Sequence, residues 1–205
     1  MALFQHTLGI LTHPDSEWAE IRREKQTFAR VFLMHVPLLA LIPCIAAYIG
    51  VTQVGWSIGG GDTVKLTSSS AMWLSIFSYA AMLAAVYILG EFINWMARAY
   101  GVSGSSDELH YEGTALAVYI SAPVFLASAV FLYPLLWLNV LVVGAAAIYS
   151  IYLIYEGIPI LMNLTKEQGF MYASSVVTVG LVILVIVMIG TVITWGMGVG
   201  PVYTN

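Results

Sequence analysis

The sequence predicts an all-α integral membrane protein: a bundle of about five transmembrane helices, N-terminus inside and C-terminus outside, preceded by short amphipathic interfacial helices. Three observations predict it. Hydrophobic residues fill 60% of the 205 positions and charged residues 9%, against roughly 25% charge in soluble domains. The few charges are clustered, with none between Arg30 and Asp62, between Glu112 and Glu156, or after Glu167. When the uncharged stretches are threaded through a bilayer, six of the seven Lys and Arg residues fall on one side.

A spanning helix needs about 20 apolar residues to cross roughly 30 Å of hydrocarbon, because backbone groups left unpaired in lipid are intolerable. Five stretches qualify, at about 28–52, 70–100, 114–132, 135–161 and 170–198. The third and fourth are separated by Tyr133-Pro134, where proline's fixed φ and missing N–H favour a tight turn and hence a helical hairpin. Residues 1–27 are then an N-terminal cytoplasmic or interfacial segment, 28–198 the membrane domain, and 199–205 an external tail.

Orientation follows from the basic residues, which are retained on the cytoplasmic side. Arg22, Arg23, Lys25 and Arg30 precede the first span, and with that end inside, Arg98 and Lys166 also fall inside, leaving only Lys65 out. Trp195 and Tyr203, near the end of the last helix, suit the outer interface. The first eleven residues lack Lys and Arg, and no apolar core with a small-residue cleavage site follows. No cleavable signal peptide is therefore expected. The lone Cys44 lies in a span and allows no intrachain disulfide.

Before the first span, Leu3, Phe4, Leu8 and Leu11 can share one helical face, and Pro14-Asp15-Ser16 offers a stop and a new start. A second short helix would turn Trp18, Ile21 and Phe28 toward lipid or protein while Arg22, Arg23 and Lys25 reach anionic headgroups. The other connections are short. Residues 53–69 form an external, flexible loop, and 101–113 an internal one whose Asp107, Glu108 and Glu112 are placed to cap the third span.

Several motif-like strings fail for physical reasons. Gly101-Val102-Ser103-Gly104 has the form of an intramembrane serine-protease motif, but it lies in an aqueous loop with no histidine at matching depth to activate the serine. Gly59-Gly60-Gly61-Asp62 lacks the second aspartate that would share a proton in an aspartyl protease. It also lacks the lysine of a phosphate-binding loop. Asn163-Leu164-Thr165 is a sequon on the cytoplasmic side. With no paired-cysteine or His-Glu-x-x-His pattern, neither enzyme activity, metal, cofactor nor nucleic-acid binding is expected.

Polar residues inside spans are the positive signal, because a charge near a helix centre costs about 2.5 to 3.5 kcal/mol on insertion scales. Glu91, Asn94 and Arg98 are spaced by three and four on the second span, so that Arg98 could neutralise Glu91. Tyr149, Tyr152 and Glu156 make a similar stripe on the fourth span, and His35 lies about two turns into the first. Together they suggest a polar cluster in the cytoplasmic half of the bundle, either a site for a headgroup, cation or proton or a set of hydrogen bonds between neighbouring helices. Small residues such as Gly144 and Ala147, and the Gly190, Gly196, Gly200 series, suit close packing. Pro37, Pro43, Pro123 and Pro159 should bend or interrupt their helices.

The organisation resembles the Ypt-interacting-protein (Yip) family of five-span membrane proteins, particularly its small bacterial inner-membrane branch, over nearly the whole chain. The resemblance rests on His13-Pro14-Asp15-Ser16-Glu17-Trp18 before the first span and on the Gly/Ser-rich stretch 101–106. It rests also on Ala117-Val118-Tyr119-Ile120-Ser121-Ala122-Pro123 in the third span and on the tyrosine-rich stretch Tyr149 to Gly157. It implies a non-enzymatic membrane protein. Eukaryotic members associate with small GTPases, but this chain lacks their long N-terminal region and Asp-Leu-Tyr-Gly-Pro motif, which argues against GTPase binding here.

Two functions are consistent with the sequence. One is a protein that organises membrane lipids or other membrane proteins, or assembles as a homo-oligomer. The other is a small transporter or channel for a cation, proton or solute that uses His35, Glu91 and Glu156. An odd number of spans shows no internal duplication of the kind common in transporters, which favours the first.

Overall fold

The computed structural model describes residues 2–24, 27–57, 61–102, 104–198 and 200–204; the side chains of residues 2–5 and 28 lie outside that description. Two short helices, α1 (Ala2–Thr12) and α2 (Pro14–Glu24), form an elbow. Five long ones follow: α3 (Phe28–Ile49), α4 (Ser68–Ala99), α5 (Ser106–Ala127), α6 (Leu136–Leu161) and α7 (Lys166–Gly196). These five are long and apolar enough to cross a membrane, so the chain is an all-α membrane bundle.

The elbow turns at His13. Pro14 opens α2, where its missing N–H leaves no helical bond unmade, and Asp15 and Glu17 in the first turn with Arg22 and Arg23 in the last oppose the helix dipole. The inward face of α1 is not the one the leucine spacing suggests. His6, Thr7 and Ile10 are buried while Leu8 points outward; Leu3 and Phe4 lie outside the described side chains.

Pro37 and Pro43 are accommodated within α3, which runs on into one π-helical turn, Gly50–Val54. It stops at Gly55, whose φ of 77° only glycine adopts without strain. Pro123 and Pro159 likewise sit inside α5 and α6. The third span begins earlier than its hydropathy indicates, at Ser106 instead of Thr114. Ser105 and Glu108 form a reciprocal capping box at 3.2 Å in each direction. Asp107, Glu108, His110 and Glu112, read from sequence as loop, are thus the polar first turns of α5. A second box, Thr165 with Gln168, starts α7. After α5 a 3-10 segment, Ser128–Leu132, and Tyr133-Pro134 lead into α6, completing the expected hairpin.

At the other end of the bundle the connections are paired. β1 (Lys65–Leu66) runs antiparallel to β2 (Tyr203–Thr204), with Lys65 opposite Thr204 and Leu66 opposite Tyr203. Trp56 pairs with Val64. The loop expected to be flexible is therefore joined to the C-terminal tail; Gly59 and Gly60 lie outside the described residues.

α5 is the central helix. Ala115, Leu116 and Ala117 are all fully buried, as three successive helical positions can be only when neighbours cover every side. α3, α4 and α6 surround it, and the outward faces of α4, α6 and α7 expose large apolar side chains such as Trp73, Trp137 and Ile186. In lipid that exposure is favourable.

Candidate functional site

The polar residues expected to converge are divided among three helix pairs. His35, 4% exposed, donates from Nδ1 to the Val31 carbonyl at 2.7 Å, leaving Nε2 to accept from the Tyr119 hydroxyl at 3.4 Å. The imidazole thereby joins α3 to α5. Glu91 faces His110 across α4 and α5, with Oε1 3.1 Å from Nε2, and not Arg98, which is exposed in the last turn of α4. Asn94 is 1% exposed and fills the space that a side chain on Gly113 would occupy. Glu156 on α6 turns toward Asp15 of α2, while Tyr152 beside it is largely exposed. A single cluster of His35, Glu91, Asn94, Arg98, Tyr152 and Glu156 is therefore not what the fold builds: His35 and Glu91 turn to different residues of α5, and Glu156 turns to α2.

Tyr119 of α5 is the real meeting point. Its ring makes edge contacts with His6 (centroids 6.1 Å apart), Trp18 (6.3 Å) and His35 (5.3 Å). Three separate segments, α1, α2 and α3, thus close on one residue of the central helix. Above it, His6 bonds through Nδ1 to the Glu17 carboxylate, and its Nε2 lies 3.1 Å from Glu24 Oε1. Burial by itself would lower the His6 pKa, but the two carboxylates outweigh it and hold the ring above its usual value.

The residues expected at the membrane surface separate into core and rim. Trp18 is 0% exposed, so it contacts protein and not lipid: its indole lies against α5 and α6, and a Cβ built on Gly157 would come within 2.7 Å of it. Arg22 donates to the Ile160 carbonyl at 3.2 Å and to Asn163 Oδ1 at 3.4 Å. It thereby caps one of the carbonyls in the last turn of α6. Arg23 is exposed, and Lys25 lies outside the described residues.

Two further tyrosines fasten the elbow: Tyr111, which the sequence reading did not single out, and Tyr149, which it placed in the polar stripe of the fourth span. Tyr111 of α5 donates to the Ile21 carbonyl at 2.7 Å, and Tyr149 of α6 donates to that of Ile10 at 2.9 Å. A legible signal did exist for the histidine tie, since Glu17 and Glu24 are seven apart and so share a face of α2. What hid it was His6, whose partner helix is set only by the elbow's turn. Among the described residues no group of three or more His, Cys, Asp or Glu is arranged to hold a metal ion.

An all-α bundle with five membrane-crossing helices and an N-terminal elbow locked onto its central helix defines a multi-pass membrane protein. The Yip1 domain model matches residues 8–187, and the chain belongs to that family. It is 40% identical over 193 residues to the inner membrane protein YohC of Escherichia coli K12, covering 94% of this chain and 97% of that one. The same figures hold for the protein of that name from E. coli O6:H1 (strain CFT073). No solved structure matches. The chain is accordingly a multi-pass inner-membrane protein.

Proposed function

We propose that this protein is a non-enzymatic organiser of the inner membrane, which holds lipids or other membrane proteins in the bilayer plane and carries no solute across it. One observation supports this reading above the others: the ionisable residues of the spans are committed to separate helix–helix and elbow contacts. His35 bonds to Tyr119, Glu91 pairs with His110, and Glu156 lies beside Asp15. Such groups act as ties within a bundle, whereas a permeation path brings ionisable groups to one aqueous cavity. The elbow lies at the cytoplasmic face in this reading, and its exposed Arg23 meets anionic headgroups.

Reconstitution into proteoliposomes tests it. Proton, cation and small-solute flux should match that of protein-free vesicles, and Glu91→Gln and Glu156→Gln should change nothing. Flux above that background which either substitution abolishes would establish the transport reading instead.

A further inference from the structure

Between α4 and α7 the bundle leaves a partly open cavity of about 670 Å³. One wall is a single face of α4 from Leu74 to Leu89, the other a single face of α7 from Val176 to Trp195, and α5 and α6 supply the floor. The two walls are fastened at both ends. At one, the Tyr172 hydroxyl donates to the Ile93 carbonyl, and its ring stacks on Tyr100 with centroids 5.1 Å apart. At the other, Ser70 Oγ accepts from the Val202 N–H at 3.0 Å and donates to the Gly200 carbonyl at 3.3 Å. Between these ties the helices stand apart: Gly180 and Gly190 both line the cavity, and a Cβ built on either meets nothing within 4 Å.

The lining is predominantly apolar, and some of its hydroxyls are turned away. Ser121 and Thr191 turn theirs back to carbonyls of their own helices, at 2.7 and 2.9 Å, so each presents carbon to the cavity. Ser150, 9% exposed, has no hydrogen-bond partner for its Oγ. Apolar cavities do not hold water, and an empty one forfeits the dispersion contacts of its walls. What fills it must come from the hydrocarbon around the spans or from another helix.

Dimensions decide between these. Val176 to Trp195 extends about 28 Å along α7 at 1.5 Å per residue. The ties from Tyr172 to Ile93 and from Ser70 to Val202 close the slot at both ends, and a rigid helix long enough to span about 30 Å of hydrocarbon would have to pass one of them to reach the floor. A slot closed in this way suits flexible polymethylene chains.

We infer that the slot between α4 and α7 is a binding site for phospholipid acyl chains, held between two helices that are tied at both ends. This rests on the membrane-organising reading and names the lipid component that the chain would hold. The site differs from ordinary lipid contact in having a floor, formed by α5 and α6, that bulk lipid reaches only by entering between the walls.

Photolabelling in proteoliposomes tests the inference, using phosphatidylethanolamine with a diazirine midway along one acyl chain and mapping adducts by mass spectrometry. Adducts are expected on the floor at Ser121, Val124 and Ser150, as well as on the outward-facing Ile148. Filling the slot from its wall with Gly180→Trp and Gly190→Trp should remove most floor adducts and leave those on Ile148 unchanged. Gly180→Leu provides a milder filling variant should the tryptophans disturb folding. Absence of floor adducts in the unmodified protein, or their persistence in folded filling variants, would overturn the site. So would oxidative cross-linking between copies carrying Gly180→Cys in a Cys44→Ser background, which would seat a second copy there. Solute flux would bring down the organising reading without altering the labelling pattern, so the two failures are distinct.

Discussion

Trp18 occupies the space that Gly157 leaves by having no side chain. A Cβ on Gly157 would lie 2.7 Å from Trp18 Cε2 and 2.8 Å from Leu116 Cδ1, both belonging to fully buried residues. Relief by moving a flexible surface chain is therefore closed off. The fit of an indole from α2 into α6, against α5, is what makes the elbow part of the bundle and not a loose surface appendage.

Removing that indole should cost as much as losing a large core aromatic, about 3 to 5 kcal/mol. Trp18→Ala is expected to lower the unfolding midpoint in detergent and open the Arg22-Arg23 bonds to trypsin. Gly157→Leu should do the same from the other side of the contact. A Trp18→Ala protein as protease-resistant as the parent would show that the elbow is held by its tyrosine and arginine bonds alone.

Tyr119 and His35 form a buried pair whose hydrogen bond is long at 3.4 Å. Tyr119→Phe keeps all three ring contacts and deletes only the hydroxyl, so its expected cost is small, on the order of 1 kcal/mol. His35→Leu also loses the bond to Val31 and should cost more. A double-mutant cycle on thermal or denaturant unfolding isolates the pair. Its coupling energy should be well below the cost of His35→Leu; a coupling equal to that whole cost would mean that the backbone bond contributes nothing.

Stability of the elbow should fall as the medium becomes more alkaline. His6 holds its proton more tightly folded than unfolded, because Glu17 and Glu24 more than offset the effect of burial. The folded state thus binds more protons, and stability decreases with rising pH. The tie is fully present below the usual histidine pKa of about 6.5 and is lost as pH rises through the raised folded value. His6→Gln should flatten this dependence in a comparison of melting temperatures across that range. An equal slope in both proteins would place the titrating group elsewhere.

How much of this was legible follows from the kind of signal each feature carries. Five spans were readable because bilayer thickness imposes a length and a lack of charge on every one. The start of α5 was not, because Asp107, Glu108, His110 and Glu112 look like loop by hydropathy while their capping box makes them helix. The polar cluster was misread for a different reason. Helical spacing shows that Glu91 and Asn94 share a stripe, but not that α5 stands at the centre, and that arrangement sends His35 to Tyr119 and Glu91 to His110. Trp18 was left between lipid and protein because amphipathic patterning cannot distinguish lipid from a neighbouring helix. Only Gly157, more than a hundred residues away in sequence, makes the difference.

Arg22 and Lys65 belong to opposite ends of the bundle. Arg22 reaches the C-terminal carbonyl of Ile160 on α6, while Lys65 precedes α4 and pairs with the tail beyond α7; α3 crosses once between them. Whichever way the bundle sits, a membrane-impermeant thiol reagent should reach cysteines at these positions from opposite sides. Because basic residues are retained inside, their excess at the elbow end leads us to expect Arg22 in the cytoplasm. In a Cys44→Ser background, intact spheroplasts should label Lys65→Cys, and Arg23→Cys, exposed beside Arg22, only after lysis. Using Arg23 in place of Arg22 leaves the α6 cap intact, so a negative result cannot be blamed on a disturbed elbow. Labelling of both cysteines in intact cells would contradict the threading of α3, and labelling of Arg23→Cys alone would invert the whole bundle.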